Sequence, residues 1–342
     1  MDDKYKTLLS AQGYVMAGEH TAVKTCEWTR KGLKGEGTCY KHKFYGINSH
    51  QCVQMSPAVN TCAMDCVYCW RDRHESAFGK RIDDPEHIIE HCIAAQRRLL
   101  IGFKGNVGVT KEKFAQSMLP KHFAISLTGE PTAYPYLHQL IDGLKDRGIT
   151  SFLVTNGQFP EMVAKVNPTQ LYVSFDTPDE QLFYKLDRPD LKDAWERLHR
   201  TLDIIKPKKY TSRTVLRLTL LKGVNDNNHE GFAEIFEKAD PLCIEVKGYM
   251  FVGASRERLD IKQMPRHEDI IQFCKEIEKH SPYRIVDDQL ASRVVLMMKP
   301  EDLPYRFIDT SGYDKRHEAW AAKVAQESPD VIEGKNLPLS IG

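Results

Sequence analysis

From residue 52 onwards, short apolar runs alternate along the chain with stretches whose apolar residues recur at helical spacing. The apolar runs predict strands at 52–57, 122–128, 151–155, 170–175, 213–221 and 242–250. The amphipathic stretches predict helices at 85–100, 135–147, 161–166, 190–205, 230–239 and 269–280, the first with Asp84 as its N-cap and Pro85 at its first position. This alternation is typical of an α/β fold built on a parallel sheet.

The number of strand–helix units limits the architecture. Six units occupy about 230 residues, whereas an eight-unit barrel needs about 250. The pattern therefore predicts either a partial (β/α)6 barrel or an open, doubly wound sheet, and periodicity does not distinguish them. Residues 1–50 contain six glycines and no clear period, which predicts an irregular extension. After the last unit we expect a hairpin formed by residues 283–287 and 293–298, and then a helix near 314–326. The chain is therefore expected to have three segments: an extension at 1–50, the barrel or sheet at 51–282, and a C-terminal segment at 283–342.

Composition narrows the class of protein. The chain has 342 residues, and its 41% hydrophobic content is enough for a folded core and excludes a disordered or collagen-like chain. Its 48 Lys and Arg nearly balance 47 Asp and Glu, so no overall basic field marks a nucleic-acid binder, although a local basic surface is compatible with this total. Without a long apolar run or a signal-like N-terminus, we expect a cytoplasmic protein with no membrane span.

Nine cysteines, six of them between Cys26 and Cys69, favour metal or redox chemistry over disulfides. The strongest pattern is Cys62-x3-Cys66-x2-Cys69, directly after the first predicted strand. Thiolates are ligands that suit iron–sulfur clusters or zinc. Three cysteines hold three irons of a cubane and leave the fourth open, whereas a structural zinc site normally has four protein ligands. A zinc loop completed by a distant residue is the alternative.

The triplet, with Tyr68 before Cys69 and six strand–helix units around it, resembles the radical S-adenosylmethionine (SAM) superfamily. The resemblance implies a partial (β/α)6 barrel with a [4Fe–4S] cluster at its mouth, where SAM binds the open iron and is cleaved to a 5′-deoxyadenosyl radical. It also implies SAM contacts at the ends of the later strands, at Thr128, Gly129, Glu130, Asn156, Ser174, Asp176 and Arg217. Arg213 competes with Arg217, and ordinary turns or helix N-caps are the other interpretation of these short motifs.

Cys26, Cys39 and Cys52 lie thirteen residues apart, a spacing that matches no local metal motif. From the residues alone they are either buried structural thiols or zinc ligands together with His42 or His50. Ligation would supply the order that this glycine-rich segment lacks, because metal binding contributes folding free energy. Cys92, Cys243 and Cys274 fall in apolar stretches, which predicts core packing.

The full length resembles the archaeal tRNA 4-demethylwyosine synthase family through the cysteine-rich extension, NTCAMDCVYCWR at 60–71 and SLTGEPT at 126–132. The resemblance implies that Cys26, Cys39 and Cys52 bind a second [4Fe–4S] cluster. It implies two substrates, pyruvate and N1-methylguanosine-37 in the anticodon loop of phenylalanine tRNA, which yield 4-demethylwyosine. The flavodoxin-like domain of the eukaryotic form is absent from this sequence, so we expect an external electron donor, and we expect a monomer.

This chemistry favours a lysine that forms a Schiff base with the keto group of pyruvate. Lys41, two residues after Cys39, is our candidate, because partial burial and neighbouring cations would raise its free-amine fraction. Lys43 is the competing candidate for this role. The alternative is that Lys41 is an ordinary solvated lysine on the surface with no role in catalysis.

Candidate tRNA contacts follow the strands, where the active site of such a barrel lies. They are Arg71, Arg73, Lys80, Arg81, Lys185, Arg188, Arg256 and Arg258. Trp70 is either a stacking platform for an unstacked base or a core residue. The basic run at 206–213 precedes a strand and is interpreted as a solvated turn at the opposite end. Two other functions stay open: an activase of a protein partner, and a non-enzymatic iron–sulfur or zinc redox sensor.

Overall fold

Six strands in the middle of the sheet run parallel and follow one another in chain order. The computed structural model describes residues 3–71 and 81–335. Its strands are β1 (Val15–Met16), β2 (Ala22–Val23), β3 (Cys52–Ser56), β4 (His122–Ile125), β5 (Thr150–Thr155), β6 (Gln170–Ser174), β7 (Thr214–Leu220), β8 (Cys243–Gly248), β9 (Arg284–Gln289) and β10 (Val294–Met298). Neighbours from β3 to β8 pair in parallel, and β1, β2, β9 and β10 add antiparallel edges.

Strand order distinguishes the two predicted topologies. A doubly wound sheet reverses its strand order at a switch point, whereas here the order rises without reversal from β1 to β8 and ends with β10 and β9. Within the described ranges the edge strands β1 and β9 do not pair with each other, so the barrel is open. The structure is a partial (β/α)6 barrel, which confirms the predicted fold class.

Helices connect the strands and cover the outer face of the sheet. They are α1 (Asp3–Ala11), α2 (Glu27–Lys34), α3 (Tyr40–Tyr45), α4 (Pro85–Leu100), α5 (Lys111–Ser117), α6 (Leu137–Asp146), α7 (Pro160–Lys165), α8 (Glu180–Leu186), α9 (Ala194–Ile205), α10 (His229–Ala239), α11 (His267–His280), α12 (Ser311–Glu327) and α13 (Pro329–Ile332). The predicted start of α4 is confirmed, since Asp84 Oδ1 accepts a hydrogen bond from His87 N at 3.0 Å. The seven-residue helices α5 and α8 are not among the predicted helices, whereas the six-residue α7 is.

The parallel strands bury side chains on both faces. Leu153 belongs to the large outer core shared with the helices, while its neighbour Phe152 belongs to an inner core with Tyr172. This follows from the alternation of side chains along a strand. Phe44 and Tyr45 of α3 complete the inner core. The N-terminal segment therefore fills the open barrel from inside, which brings its cysteines to the strands.

The prediction that residues 1–50 are irregular is wrong. The segment contains α1, α2, α3 and two short strands. Gly35 and Gly46 end α2 and α3 with φ of 75° and 83°, a left-handed conformation in which glycine costs least. Two of the glycines that suggest irregularity are therefore helix C-caps. The helices themselves have eight and six residues, so tertiary packing stabilises them and no long amphipathic period announces them.

The hairpin predicted near the C-terminus is confirmed as β9 and β10, and β10 also pairs with β8. The predicted tail helix is α12. The segments 1–50, 51–282 and 283–342 thus contribute to one continuous sheet. Among the described residues, no helix is both long and apolar enough to cross a membrane.

Cys92, Cys243 and Cys274 are fully buried in the cores, as predicted. Burial raises the pKa of each thiol, to about 12 for Cys243, so none offers a ready thiolate. We expect alanine at any of these positions to leave iron content unchanged and to lower the unfolding free energy by on the order of 1 kcal/mol. Iron analysis and thermal unfolding of anaerobically reconstituted protein check this. Loss of about four irons from any one variant would contradict it.

Candidate active site

The cysteine triplet lies in the loop after β3, at the edge of the sheet where the parallel strands end. Cys62 and Cys69 line a cavity together with Thr128 and Gly129, which follow β4. Burial raises the pKa of Cys66, and the neighbouring groups that raise it further include the thiols of Cys69 and Cys62. The three thiols are therefore neighbours at the mouth of the barrel.

The cluster loop, residues 62–69, is braced by segments that are distant in sequence. Val67 N and Asp65 N donate hydrogen bonds to carbonyls in the segment 186–190, at 2.8 and 3.1 Å. Arg258 donates from Nε to Val67 O at 3.1 Å and from Nη2 to Cys69 O at 2.6 Å. Arg258, predicted as a tRNA contact, thus uses these donors to hold the loop.

Tyr68 of the cluster loop is fixed between two buried carboxyl groups. Its Oη lies 2.6 Å from Asp176 Oδ2 and 2.7 Å from Asp187 Oδ1. Burial raises the pKa of both carboxyls, and Asp176 Oδ1 also accepts a hydrogen bond from Thr219 N at 2.5 Å. Asp176, a predicted SAM contact, therefore also holds the cluster loop, and its contact with SAM stays a prediction. No local motif marks Asp187, because its role depends on the chain returning to this loop.

Glu130 is buried and joins the ends of β4 and β5. Its Oε1 accepts hydrogen bonds from Thr132 N at 3.0 Å, Thr132 Oγ1 at 2.5 Å and Thr155 Oγ1 at 2.7 Å. Its Oε2 accepts one from Asn156 N at 2.8 Å. Burial raises the pKa of Glu130, and these donors oppose that rise. Since three bonds converge on Oε1, Oε2 is the atom with room for a further donor such as an ammonium group.

Gly129 has a conformation and a location that exclude a side chain. Its φ is +67°, and a Cβ here would lie 1.8 Å from Ala58 O. Gly223 has a similar φ of +72°, with nothing within 4 Å of a Cβ. The two glycines therefore differ in steric surroundings and not in backbone conformation.

We expect Gly129→Ala to displace the start of the cluster loop, and so to lower both iron content and unfolding temperature. Gly223→Ala should cost only the strain of left-handed backbone, about 1–2 kcal/mol. Iron analysis and thermal unfolding of the matched pair measure the difference. Equal effects in the two variants would show that the close approach at Gly129 does not limit the loop.

Two further SAM candidates, Asn156 and Ser174, lie at the carboxyl ends of the neighbouring strands β5 and β6. Asn156 Nδ2 donates a hydrogen bond to Cys62 Sγ at 3.7 Å, so it contacts a cysteine of the loop. Ser174 ends β6 directly beside Arg217 of β7. Both positions lie where the strands approach the mouth, as the order of the strands predicts.

Arg217 and its competitor Arg213 lie at different ends of the barrel. Burial by itself would lower the pKa of Arg217. The neighbouring groups, among them Tyr40 and Glu245, outweigh this effect and raise the pKa. Arg213 donates to the backbone carbonyl of Arg306 at 2.8 Å, before β7 begins. Arg217 therefore faces the interior, and Arg213 is excluded from the site.

The three cysteines of the N-terminal segment meet where that segment enters the barrel. Cys26 and Cys39 are the N-caps of α2 and α3, and Cys52 begins β3. Burial raises the pKa of Cys39 to about 11 and that of Cys52 to about 12, while Lys41 lowers both and Cys26 raises both. Three thiols and one amine therefore form one group, and a metal binding there would displace thiol protons.

The donor sets suit cubane clusters better than single ions. His42 Nδ1 lies 2.6 Å from Ile47 O, and His50 Nε2 lies 2.7 Å from Gln116 Oε1, so each imidazole has its own partner. In the part of the chain that the structure describes, no three His, Cys, Asp or Glu side chains lie close enough to hold one metal ion. The cysteines of a cubane bind different irons and lie farther apart, and three of them leave one iron open. Each triad fits such a group.

Lys41 lies inside the barrel with an exposed fraction of 8%. Its Nζ lies 4.7 Å from the ring centroid of Phe152 and 4.8 Å from that of Tyr172. Among the described residues it has no hydrogen-bond acceptor and no carboxylate partner. Lys43, by contrast, forms an ion pair with Asp287 Oδ1 at 2.6 Å. The structure therefore places Lys41, and not Lys43, beside the cysteines.

The other tRNA candidates differ in exposure. Trp70 is 39% exposed, and the guanidinium carbon of Arg71 lies 4.2 Å from the centroid of the Trp70 ring. Lys24, which no motif marks, lies 5.7 Å from the same ring. Four other candidates have exposed side chains: Arg81, Lys185, Arg188 and Arg256. Arg73 and Lys80 lie outside the described residues.

The basic run at 206–213 is tied into local contacts. Lys208 Nζ donates to Ala164 O and Val166 O at 2.8 and 2.7 Å. Lys209 forms ion pairs with Asp240 and Asp302. The run precedes β7 at the end of the barrel opposite the mouth, as predicted, but it is not simply a solvated turn, because Lys209 is buried and ion-paired.

Comparison with known proteins gives two family matches and several close relatives. The family model described as the radical SAM superfamily matches residues 56–236, and the one described as wyosine base formation matches residues 238–299. The S-adenosyl-L-methionine-dependent tRNA 4-demethylwyosine synthase of Pyrococcus abyssi is 45% identical over 88% of this chain and 90% of that protein. The protein of the same name from Methanocaldococcus jannaschii is 40% identical over 86% and 96%. A solved structure described as TYW1 with a lysine–pyruvate adduct bound has a TM-score of 0.82 and 37% identity, covering 91% of this chain and 99% of that one.

Proposed function

This chain belongs to the radical SAM family of tRNA 4-demethylwyosine synthases, and from that premise we propose that it converts N1-methylguanosine-37 of phenylalanine tRNA, with pyruvate, into the tricyclic base 4-demethylwyosine. The observation that carries the proposal is the presence of two cysteine triads in one barrel. One lies at the mouth, and the other lies inside beside the buried amine of Lys41. The first triad serves SAM, and the second serves the keto acid.

As a radical SAM enzyme the protein uses SAM and a [4Fe–4S] cluster. We assign that cluster to Cys62, Cys66 and Cys69, which would hold it where it would supply the electron for cleavage of SAM. The hydrogen bond from Asn156 to Cys62 Sγ withdraws charge from this sulfur. Tyr68 and its two carboxyl partners keep the loop in place.

The ends of the strands hold SAM itself. Thr128 and Gly129 line the cavity beside the cysteines, and Glu130 Oε2 accepts from the ammonium group of SAM. Ser174 is assigned to a hydroxyl of the ribose. Arg217 is assigned to the methionine carboxylate, for which its buried positive charge is suited.

Cys26, Cys39 and Cys52 bind a second [4Fe–4S] cluster in this proposal. Its open iron would supply a Lewis-acid site beside Lys41. Two of these thiols are protonated at neutral pH in the absence of metal, because burial raises the pKa of Cys39 to about 11 and of Cys52 to about 12. Assembly of the cluster therefore releases protons and orders the N-terminal segment.

Lys41 binds pyruvate covalently. Its Nζ attacks the keto carbon, and loss of one water leaves a protonated imine. The faces of Phe152 and Tyr172 surround the nitrogen, exclude water and attract the positive charge of either the ammonium or the imine. The adduct described for the similar structure is a property of that protein and supports this assignment by likeness.

The anticodon loop approaches the mouth of the barrel. Trp70 offers a stacking surface for a base that leaves the loop, and Arg71 and Lys24 place positive charge beside it. The electron comes from an external donor, and the protein acts as a monomer.

Activity with defined transcripts tests the proposed function. Reconstituted enzyme, reductant, SAM and pyruvate should produce the tricyclic base in a phenylalanine tRNA that carries N1-methylguanosine-37. No tricyclic base should form in the unmethylated transcript. A product in neither tRNA, with 5′-deoxyadenosine still formed, would favour an activase of a protein partner. Failure to form 5′-deoxyadenosine under any condition would favour the redox sensor.

Neutralising the mouth of the barrel should weaken tRNA binding more than neutralising the opposite end. The mouth variant replaces Arg71, Arg81 and Arg256 with glutamine. The control replaces Lys145, Lys165 and Lys206, which are exposed at the ends of helices that lead into strands. Removing one phosphate contact should lower the salt slope of binding by about 0.9 on duplex or about 0.7 on single-stranded RNA. Binding titrations at several salt concentrations measure this, and a slope reduced only in the control would reverse the placement.

A further inference from the structure

A second lysine faces the interior of the barrel, from the wall of the sheet and not from the N-terminal segment. Lys247 of β8 is partly buried, and its Nζ donates a hydrogen bond to Ser292 O at 2.6 Å. The same Nζ lies 5.6 Å from the ring centroid of Tyr40, the residue before Lys41. Lys247 of the sheet therefore lies near α3, the helix that carries Lys41.

Lys247 lies close enough to two cysteines of the second triad, Cys39 and Cys26, for their charge to affect its pKa. Burial lowers the pKa of Lys247 to about 8, and the charge of Arg217 lowers it as well. Glu245, Cys39 and Cys26 act in the opposite direction. An anion that reached Lys247 would add to that opposing effect and favour its charged form.

Positive charge exceeds negative charge in this part of the interior. The basic side chains are those of Lys41, Arg217 and Lys247. Two carboxyl groups act against them: Glu245, which affects both Arg217 and Lys247, and Asp176, which affects Arg217. Glu245 Oε1 accepts a hydrogen bond from Tyr45 Oη at 2.6 Å, so it is held by α3 and not by either lysine. Uncompensated buried charge is costly, and an anionic ligand would relieve the cost.

We propose that Lys247 binds the carboxylate of the short 2-keto acid whose keto carbon reacts with Lys41. The inference rests on the proposed function, because it takes Lys41 as the nucleophile. In a 2-keto acid the carboxylate and the keto carbon are adjacent, so a cation anchored on β8 places that carbon in front of Lys41 Nζ. Lys247 undergoes no covalent change and determines both affinity and selectivity for the carboxylate.

The two amines are held in ways that suit different roles. The bond to Ser292 O uses one of the three donors of the Lys247 ammonium group and leaves two for a carboxylate. Lys41 Nζ rests only on aromatic faces among the described residues. It is therefore the amine that can move toward a carbonyl without breaking a hydrogen bond.

Borohydride trapping tests Lys247 without requiring turnover. Reduction of the imine fixes labelled pyruvate on the full-length, cluster-reconstituted protein, and the yield gives a half-saturating pyruvate concentration. We expect Lys247→Met to raise this concentration by about tenfold or more, and Lys247→Arg to restore most of the loss. Labelled acetone, which has a keto group and no carboxylate, should be trapped equally by wild type and Lys247→Met. Lys43→Met is the matched control.

The outcomes separate this inference from the function on which it rests. An unchanged half-saturating concentration in Lys247→Met, with the adduct on Lys41, overturns the inference alone. So does an equal loss of pyruvate and acetone trapping, or an adduct that maps to Lys247. No adduct in wild type, with turnover proceeding, defeats the Schiff-base step of the proposed function and this inference with it. If Lys247→Met loses iron, Lys247→Gln takes its place in the comparison.

Discussion

Cleavage of SAM is expected to fall to background in each of Cys62→Ala, Cys66→Ala and Cys69→Ala. Each variant removes one of the three thiolates that a cubane with an open iron needs, and alanine offers no ligand. Two independent measurements apply: 5′-deoxyadenosine formed after reduction, and iron bound on anaerobic reconstitution. The iron content should fall by about four per chain in each variant.

The N-terminal triad supplies a control of the same chemistry in a different place. Cys26→Ala should lose a similar amount of iron and yet still cleave SAM, because no residue of the mouth is changed. Wild-type rates of 5′-deoxyadenosine formation in any variant of the first triad would refute the assignment for that residue. Loss of SAM cleavage in Cys26→Ala would mean that the two sites are not independent.

Lys41→Ala should make no detectable tricyclic base while keeping both clusters and the ability to cleave SAM. The substitution removes the amine but no ligand of iron or SAM, so SAM cleavage becomes unproductive. The measurement is product in methylated tRNA alongside 5′-deoxyadenosine from the same reaction. Lys41→Arg should behave similarly, because a guanidinium keeps the charge but does not lose its proton to act as a nucleophile.

Lys43→Ala is the matched control, since Lys43 lies on the same short helix and is ion-paired with Asp287. It should retain product formation and the covalent pyruvate adduct. Peptide mapping after borohydride reduction should find that adduct on Lys41. An adduct on another lysine would move the role and keep the mechanism, whereas turnover without any adduct would mean that pyruvate is held by iron alone.

Motifs with short spacing can be interpreted from the sequence because their chemistry is local. Cys62, Cys66 and Cys69 lie within eight residues, so their spacing alone indicates a three-thiolate ligand set. The strand–helix alternation likewise predicts the parallel sheet, and the structure confirms it. The short helices α2 and α3 are not predicted, because eight and six residues stabilised by packing carry little periodic signal.

Residues that act across long separations cannot be assigned in the same way. Asp187 meets Tyr68, 119 positions away, only because α8 returns the chain to the cluster loop. Arg258 resembles a surface cation in sequence and is 191 positions from the carbonyl of Val67 that it binds. The place of Asp176 at a strand end predicts a SAM contact, but that position does not reveal the hydrogen bond that Asp176 accepts from Tyr68, 108 positions away.

By itself the sequence determined that the fold is α/β with a parallel sheet, where the cluster loop lies, and that a second cysteine set is present whose ligand the residues alone leave open. Local spacing and the alternation of apolar residues encode these features directly. Only the tertiary structure decided that α3 lies inside the open barrel, that Lys41 and not Lys43 joins the cysteines, and that Lys247 faces the same interior. The physical reason is that burial and charge environment are sums over neighbours brought together by folding, and no window of the chain contains those neighbours.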